Sequence, residues 1–284
     1  MSKLNDRRNF LKGSVALGAT LGTGMSTGVS AAQNKEQSTE CIPGSKVNHD
    51  NSAQEYYEWR AYRTANAEKK AIVSQYIEKA LIPALDRIGI DRIGVFTHKS
   101  NLDDHTLYML IPYKSLDVFS GVNQGLAVDK AYQAQAADYL SVPFRKPNFT
   151  RIESKLHKAF TGMPVMKLPK QTAGKEDRIL ELRVYQGDTE EKTALKIEQF
   201  NQGEIFVMQD VGLAPVFYGE LLIGDDGPNM MYMTSAASEA ASQACWAKFK
   251  VHPEWKRLQG IKKYRRTVSS KTKDILVPTP YSQV

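Results

Sequence analysis

Two stretches of the chain alternate apolar and polar residues with period two, 56–62 and 179–185. Each predicts a β-strand with a distinct residue set on either face. A 3–4 apolar spacing follows both. In the first stretch it runs through Ile72, Tyr76, Ile77, Ala80, Leu81, Ala84, Leu85 and Ile88, and in the second through Leu195, Phe200, Ile205, Met208 and Val211. These are amphipathic helices, closed by Gly89 and Gly212 at the position where a left-handed residue ends a helix. Pro83 inside the first helix predicts a kink or a split. Two further strands come next, 92–99 with 106–112 and 215–223 with 230–235, joined by Asp-rich turns. A second helix (115–140; 237–259) and a last strand (152–158; 268–277) complete each unit. The order β-α-β-β-α-β is the ferredoxin-like arrangement.

The two units are copies. A shift of 123 residues lays Glu58-Trp59-Arg60-Ala61-Tyr62 over Glu181-Leu182-Arg183-Val184-Tyr185 without a gap, and eight of the 32 positions from 58 to 89 are identical. The same shift puts Tyr132 over Trp255. One such unit has helices on one face of its sheet and leaves the other bare. Two copies in one chain cover both bare faces by packing sheet to sheet, an intramolecular α/β barrel. The predicted fold is therefore α+β, with repeats at 55–165 and 177–284 and a linker at 166–176.

The paired Glu-x-Arg-x-Tyr strands carry a resemblance. With Leu81-Ile82-Pro83-Ala84-Leu85, Gly94-Val95-Phe96, the segment 110–116 and the tail 278–283, they resemble the NIPSNAP family of the dimeric α/β-barrel superfamily. The likeness spans about residues 55–284 and points to exported, tandem-repeat bacterial members. It implies the barrel fold but no chemistry that transfers residue by residue. Related barrels include haem-degrading and cofactor-free monooxygenases, isomerase-like and dehalogenating enzymes, and binding proteins, so fold does not fix function. By that analogy alone, His157 is a candidate axial haem ligand.

The candidate pocket comes from the strand alternation. Leu180, Leu182 and Val184 share one face, assigned to the helices, and Glu181, Arg183 and Tyr185 the other, assigned to the barrel interior. Glu58, Arg60 and Tyr62 follow in the first copy, with Tyr57, Trp59 and Ala61 beneath the helices. An interior arginine could anchor an acidic or carbonyl ligand, with a glutamate or a phenol of lowered pKa as acid or base. An ion-pair lattice that fixes the docking of the halves explains both copies more simply. Repeat 1 is the expected binding copy, because Pro83 and the Tyr57/Trp59 pair make its surroundings less regular. Two function classes follow: a small-molecule-binding or interaction scaffold, and a small-molecule enzyme of monooxygenase-like or isomerase-like type. No cofactor is indicated. His98 and His105 flank Asp103 and Asp104 at a hairpin, where a solvated turn outweighs a metal site.

Composition narrows the partners. With 42% hydrophobic and 24% charged residues the chain has the balance of a soluble globular protein. Its formal charge of +7 includes several N-terminal basic residues and forms no long Lys/Arg stripe, which argues against nucleic acid. Two cysteines, Cys41 and Cys245, set no disulfide framework. A homo-oligomer stays open.

The N-terminus supplies an address. Asp6-Arg7-Arg8-Asn9-Phe10-Leu11-Lys12, a weakly apolar run, and Val29-Ser30-Ala31-Ala32 resemble a twin-arginine signal peptide cleaved near Ala31. The run is too polar for a stable membrane span. Residues 1–31 are thus read as a signal, 32–54 as a flexible polar lead-in, and the mature protein as periplasmic or extracellular.

Overall fold

The structure, a computed structural model, describes residues 53–170, 172–175 and 177–284. The signal peptide, nearly all of the lead-in and Cys41 lie outside these residues.

The first unit comprises β1 (Tyr56–Arg63), α1 (Ala67–Tyr76), α2 (Ile82–Arg87), β2 (Gly94–His98), β3 (Leu107–Tyr113), α3 (Leu116–Val128), α4 (Lys130–Gln135), α5 (Ala137–Leu140) and β4 (Arg151–Ala159). The second comprises β5 (Ile179–Gln186), α6 (Glu190–Gln199), α7 (Ile205–Asp210), β6 (Ala214–Ile223), β7 (Asn229–Ala236), α8 (Glu239–Val251), α9 (Pro253–Gly260) and β8 (Ser270–Pro278). The sequence repeat is a structural repeat down to its caps. Asn66 and Thr189 accept the N–H three residues on at the starts of α1 and α6, and Ser115 and Ser238 do so for α3 and α8. Gly89 and Gly212 have φ of +80° and +91°, and the residue after each donates back to Leu85 and Met208, the Schellman closure. His252 caps α9 through its side chain, with Pro253 in the first turn.

The break in the first helix has a cause other than Pro83. A π-helical turn at Ile77–Leu81 separates α1 from α2, and the same turn recurs at Phe200–Glu204, where Phe206 replaces the proline. The interruption belongs to the repeat unit, and π turns of this kind commonly mark functional positions.

All eight strands form one closed antiparallel barrel in the order β1-β3-β2-β8-β5-β7-β6-β4. Each unit contributes four neighbouring strands, and the last strand of each pairs with the hairpin of the other, β2 with β8 and β4 with β6. Closure leaves no sheet edge unpaired. Among the described residues, no helix is long and apolar enough to cross a membrane.

The two faces of the barrel reverse the expected assignment. Tyr57, Trp59, Leu180 and Leu182 face the lumen, where they form one apolar core with Phe96, Leu110, Phe217, Met233 and Leu276. Glu58, Arg60, Tyr62, Glu181, Arg183 and Tyr185 lie on the outer face, under the helices. The alternation was legible, but its direction was not, because a lumen packed by two sheets is as apolar as the layer beneath a helix. Period two fixes which residues share a face and says nothing about which face carries the helices.

Candidate functional site

The two Glu-Arg-Tyr triplets are built alike and completed differently. In repeat 1 Arg60 donates to Glu58 through two nitrogens, Nε to Oε1 and Nη2 to Oε2, both at 2.8 Å. Its Nη1 donates to Tyr62 at 3.3 Å. Glu58 also accepts from Tyr113 at 2.7 Å and from Ser154. Burial pushes the Glu58 carboxyl up, but the Arg60 charge and these hydrogen bonds outweigh it and hold the carboxyl below its ordinary range. Tyr62 moves the other way: burial raises its pKa despite Arg60, so it is no activated phenol. This is a closed lattice.

In repeat 2 Arg183 donates to Glu181 through Nε, and to Tyr185 through Nη1 at 3.2 Å. Glu181 Oε2 accepts instead from Ser242 at 2.8 Å. The Nη2 edge of Arg183 therefore has no protein acceptor among the described residues. The guanidinium lies 3.9 Å above the ring of Trp246. Trp246 projects from α8 at the register that Asn123 holds in repeat 1.

The space above the two lattices differs accordingly. In repeat 1 it is filled by aromatic rings. Tyr139 of α5 stacks on Tyr76 with centroids 3.6 Å apart, the Tyr76 and Tyr132 hydroxyls pair at 2.9 Å, and Phe149 closes on Tyr62 and Tyr139. In repeat 2 the connection from α9 to β8 is four residues shorter: Arg60 faces Ser154 but Arg183 faces Lys273. No counterpart of Tyr139 enters, and a cleft of about 440 Å³ stands open between sheet and helices. Arg183, Tyr185, Trp246, Phe249 and Trp255 line it, with Lys196 and Glu204 among its other walls. A smaller cavity of about 280 Å³ adjoins it across Arg183, Trp246 and Lys250 and reaches Glu181, Ser242 and Lys273. The two are lined by five cations and three carboxylates.

Lys196 and Glu204 are buried in this cleft, and the reading of the sequence passed over them. Lys196 Nζ donates to Glu204 Oε2 at 2.7 Å and to Gln199 Oε1 at 2.9 Å. It lies 4.8 Å from the Phe200 ring and 5.4 Å from that of Trp255. Burial raises the Glu204 pKa, opposed by Lys196 and more weakly by Arg183. The expected core residue of this turn, Leu195, is only half-buried. The repeat shift held the missing signal, since it lays Lys196, Gln199 and Glu204 over Val73, Tyr76 and Leu81. Charge where the sister copy has core marks a position released from packing duty.

The predicted site residues therefore resolve as follows. Glu181, Arg183 and Tyr185 border the open cleft; Glu58, Arg60 and Tyr62 lie beneath a filled one. Tyr57 and Trp59, on which the expectation of repeat 1 as the binding copy rested, face the lumen instead, and the space above the repeat 1 triplet is filled by Tyr76, Tyr132, Tyr139 and Phe149. The lumen itself opens into a pocket of about 200 Å³ at one end, beside Trp59 and Tyr108. Four of its five rim charges form two pairs, Arg63 with Glu153 and Lys155 with Asp226. His157 is fully buried in the lumen wall, with Gly219 against its Cβ, and lines none of these three cavities. That packing does not fit a haem on its ring. His98 caps its own turn, accepting from Ser100 and Asn101 through Nδ1. Among the described residues, no three His, Cys, Asp or Glu side chains come together as a metal site.

Comparison with known proteins agrees with the architecture. A candidate monooxygenase from Lactobacillus acidophilus superposes with a TM-score of 0.50 at 10% identity, covering 79% of this chain and 94% of its own. Chlorite dismutase from Candidatus Nitrospira defluvii is similar at 10% identity and a TM-score of 0.42, covering 80% of this chain and 92% of its own. A NIPSNAP-like domain protein from Burkholderia xenovorans, at 18% identity and a TM-score of 0.32, covers 37% of this chain and 89% of its own. At 10% identity the first of these likenesses is one of fold alone. No curated protein matches the chain in sequence. The NIPSNAP family model matches residues 180–283, from β5 through the tail that follows β8. The repeat that carries the open cleft thus matches a NIPSNAP domain, within a chain that has the dimeric α/β-barrel fold.

Proposed function

We propose that this is an exported small-molecule-binding protein that takes a planar aromatic anion into the cleft of repeat 2. One observation carries the reading: aromatic rings fill the space beside the Glu-Arg-Tyr lattice in one copy and bury its Tyr62, while in the other copy Tyr185 lines an open cleft. In the open copy its arginine keeps a free Nη2 edge. A guanidinium edge matches a carboxylate in plane and charge. Trp246, Phe249 and Trp255 supply the flat apolar walls that a ring system needs, and a cleft of this volume is in the range of small-molecule sites. The lattice in repeat 1 then serves stability alone. Export rests on the twin-arginine pattern at Arg7-Arg8 with Ala31 as the cleavage position.

The test is a thermal-shift and fluorescence titration with 2-naphthoate against neutral 2-naphthamide. Two of the three tryptophans line the cleft, so bound anion should change the indole emission and raise the melting temperature. The amide should do neither to the same extent. Equal response to both compounds, or to neither, would remove the anion from the proposal.

A further inference from the structure

The floor of the cleft carries a second recognition element, one step beyond the carboxylate anchor. Lys196 and Glu204 are held 2.7 Å apart with side chains 8% and 4% exposed. An ammonium group has three N–H donors, and Lys196 uses two, on Glu204 and Gln199. Glu204 accepts through Oε2 alone among the described residues, which leaves Oε1 without a protein donor. One N–H and one carboxylate oxygen of this bonded pair therefore have no hydrogen-bond partner among the described residues, on two side chains that line the cleft.

The chain contains its own control for what this pair does. Packing one folding unit requires no charge here, because repeat 1 fills the same two positions with Val73 and Leu81, both buried in its core. A buried ion pair seldom outperforms well-packed apolar residues in stability. The polar pair, together with Gln199 in place of Tyr76, occurs in the copy whose cleft is open. A role toward the occupant accounts for that asymmetry where a packing role does not.

A donor and an acceptor at adjacent points complement a group that accepts and donates through one atom. A hydroxyl is such a group. We infer that Lys196 and Glu204 form a hydroxyl-recognition site, so that the cleft prefers aromatic acids bearing a phenolic hydroxyl at the end remote from the carboxylate. Lys196 donates to the hydroxyl oxygen, and the hydroxyl donates to Glu204 Oε1. This rests on the aromatic-anion reading above and adds the second functional group of the ligand.

The probes are 2-naphthoate, 6-hydroxy-2-naphthoate and 6-methoxy-2-naphthoate, titrated calorimetrically into the purified protein and into a double variant, Lys196→Val with Glu204→Leu. The variant transplants the residues that repeat 1 already packs. For the unaltered protein, hydroxynaphthoate should bind roughly tenfold or more tighter than the other two, the worth of a hydrogen bond to charged groups. In the double variant that ratio should fall to about one. The melting temperature without ligand should hold or rise in the double variant and fall in Lys196→Val alone, which leaves Glu204 buried without its cation. Binding of all three acids without preference would overturn this inference and leave the anion site standing. Binding of none would overturn both, and a hydroxyl preference that survives in the double variant would assign it to other residues.

Discussion

The Arg183 guanidinium lies 3.9 Å above the Trp246 ring, whereas Arg60, at the same register of the first repeat, is held by both oxygens of Glu58. One arginine is locked by its carboxylate and the other is shared between carboxylate, indole and open space. Replacing Arg60 by Met strands Glu58, which retains only Tyr113 and Ser154 in a buried setting. The expected loss is about 2–4 kcal/mol, below the full value for a buried pair because Arg60 keeps some exposure. Arg183→Met should cost less: Glu181 keeps only Ser242, but it lines the smaller cavity, where solvent can replace the lost bond, and the methionine can still cover Trp246. Urea denaturation of both variants ranks them; a larger loss for Arg183→Met would contradict the lattice assignment.

Because repeat 1 seals its lattice, its carboxylate should govern acid sensitivity there. The folded-state pKa of Glu58 is depressed, so its stabilisation is present above the ordinary glutamate range and is lost as pH falls through the folded value. His157 adds a second slope at higher pH. Burial lowers its pKa to about 4, while an unfolded histidine titrates near 6.5. Between those values the unfolded chain binds the extra proton, so stability should drop by roughly 3 kcal/mol as pH falls from 6.5 to 4. His157→Met should flatten this slope, which denaturation at several pH values between 4 and 6.5 would reveal. An unchanged slope would assign it to other groups.

How much of this was legible depends on what each pattern encodes. The duplication could be read from identity at a fixed shift, and the element order from apolar periodicity. The capping residues Ser115 and Ser238 act locally and lie within a residue of the helix starts predicted at 115 and 237, whereas no start was predicted at Asn66 or Thr189. The direction of the strand faces was not legible, since Leu182 in the lumen and Met230 under the helices are both buried apolar strand residues. The π turns escaped notice because they keep apolar residues in contact with the sheet while shifting the helical phase. Lys196 and Glu204 were visible only by asking where the copies differ; similarity between copies pointed to the lattice, and difference pointed to the cleft.

Barrel closure carries a consequence for the isolated half. Residues 55–165 alone would expose Tyr57, Trp59, Phe96 and Leu110 on the lumen face, and would leave β2 and β4 as open edges. The fragment should pair with a second copy of itself or aggregate. Sedimentation and dye binding check this, and a monomer without exposed apolar surface would argue that the halves do not depend on each other.

Export is testable in cells. Changing Arg7 and Arg8 together to Lys should leave unprocessed precursor in the cytoplasm, followed by fractionation and by the mass of the N-terminus. Normal processing of that variant would refute the twin-arginine assignment.

The central claim is that the two equivalent arginines have parted roles, with ligand binding confined to the open cleft of repeat 2. Calorimetric titration of 2-naphthoate into the unaltered protein, Arg60→Met and Arg183→Met compares them directly, at a temperature where both variants are folded. Arg60→Met should bind within about twofold of the unaltered protein, and Arg183→Met should lose roughly tenfold or more, as expected for a charge-assisted hydrogen bond. Equal loss in both variants, or a larger loss in Arg60→Met, would contradict it.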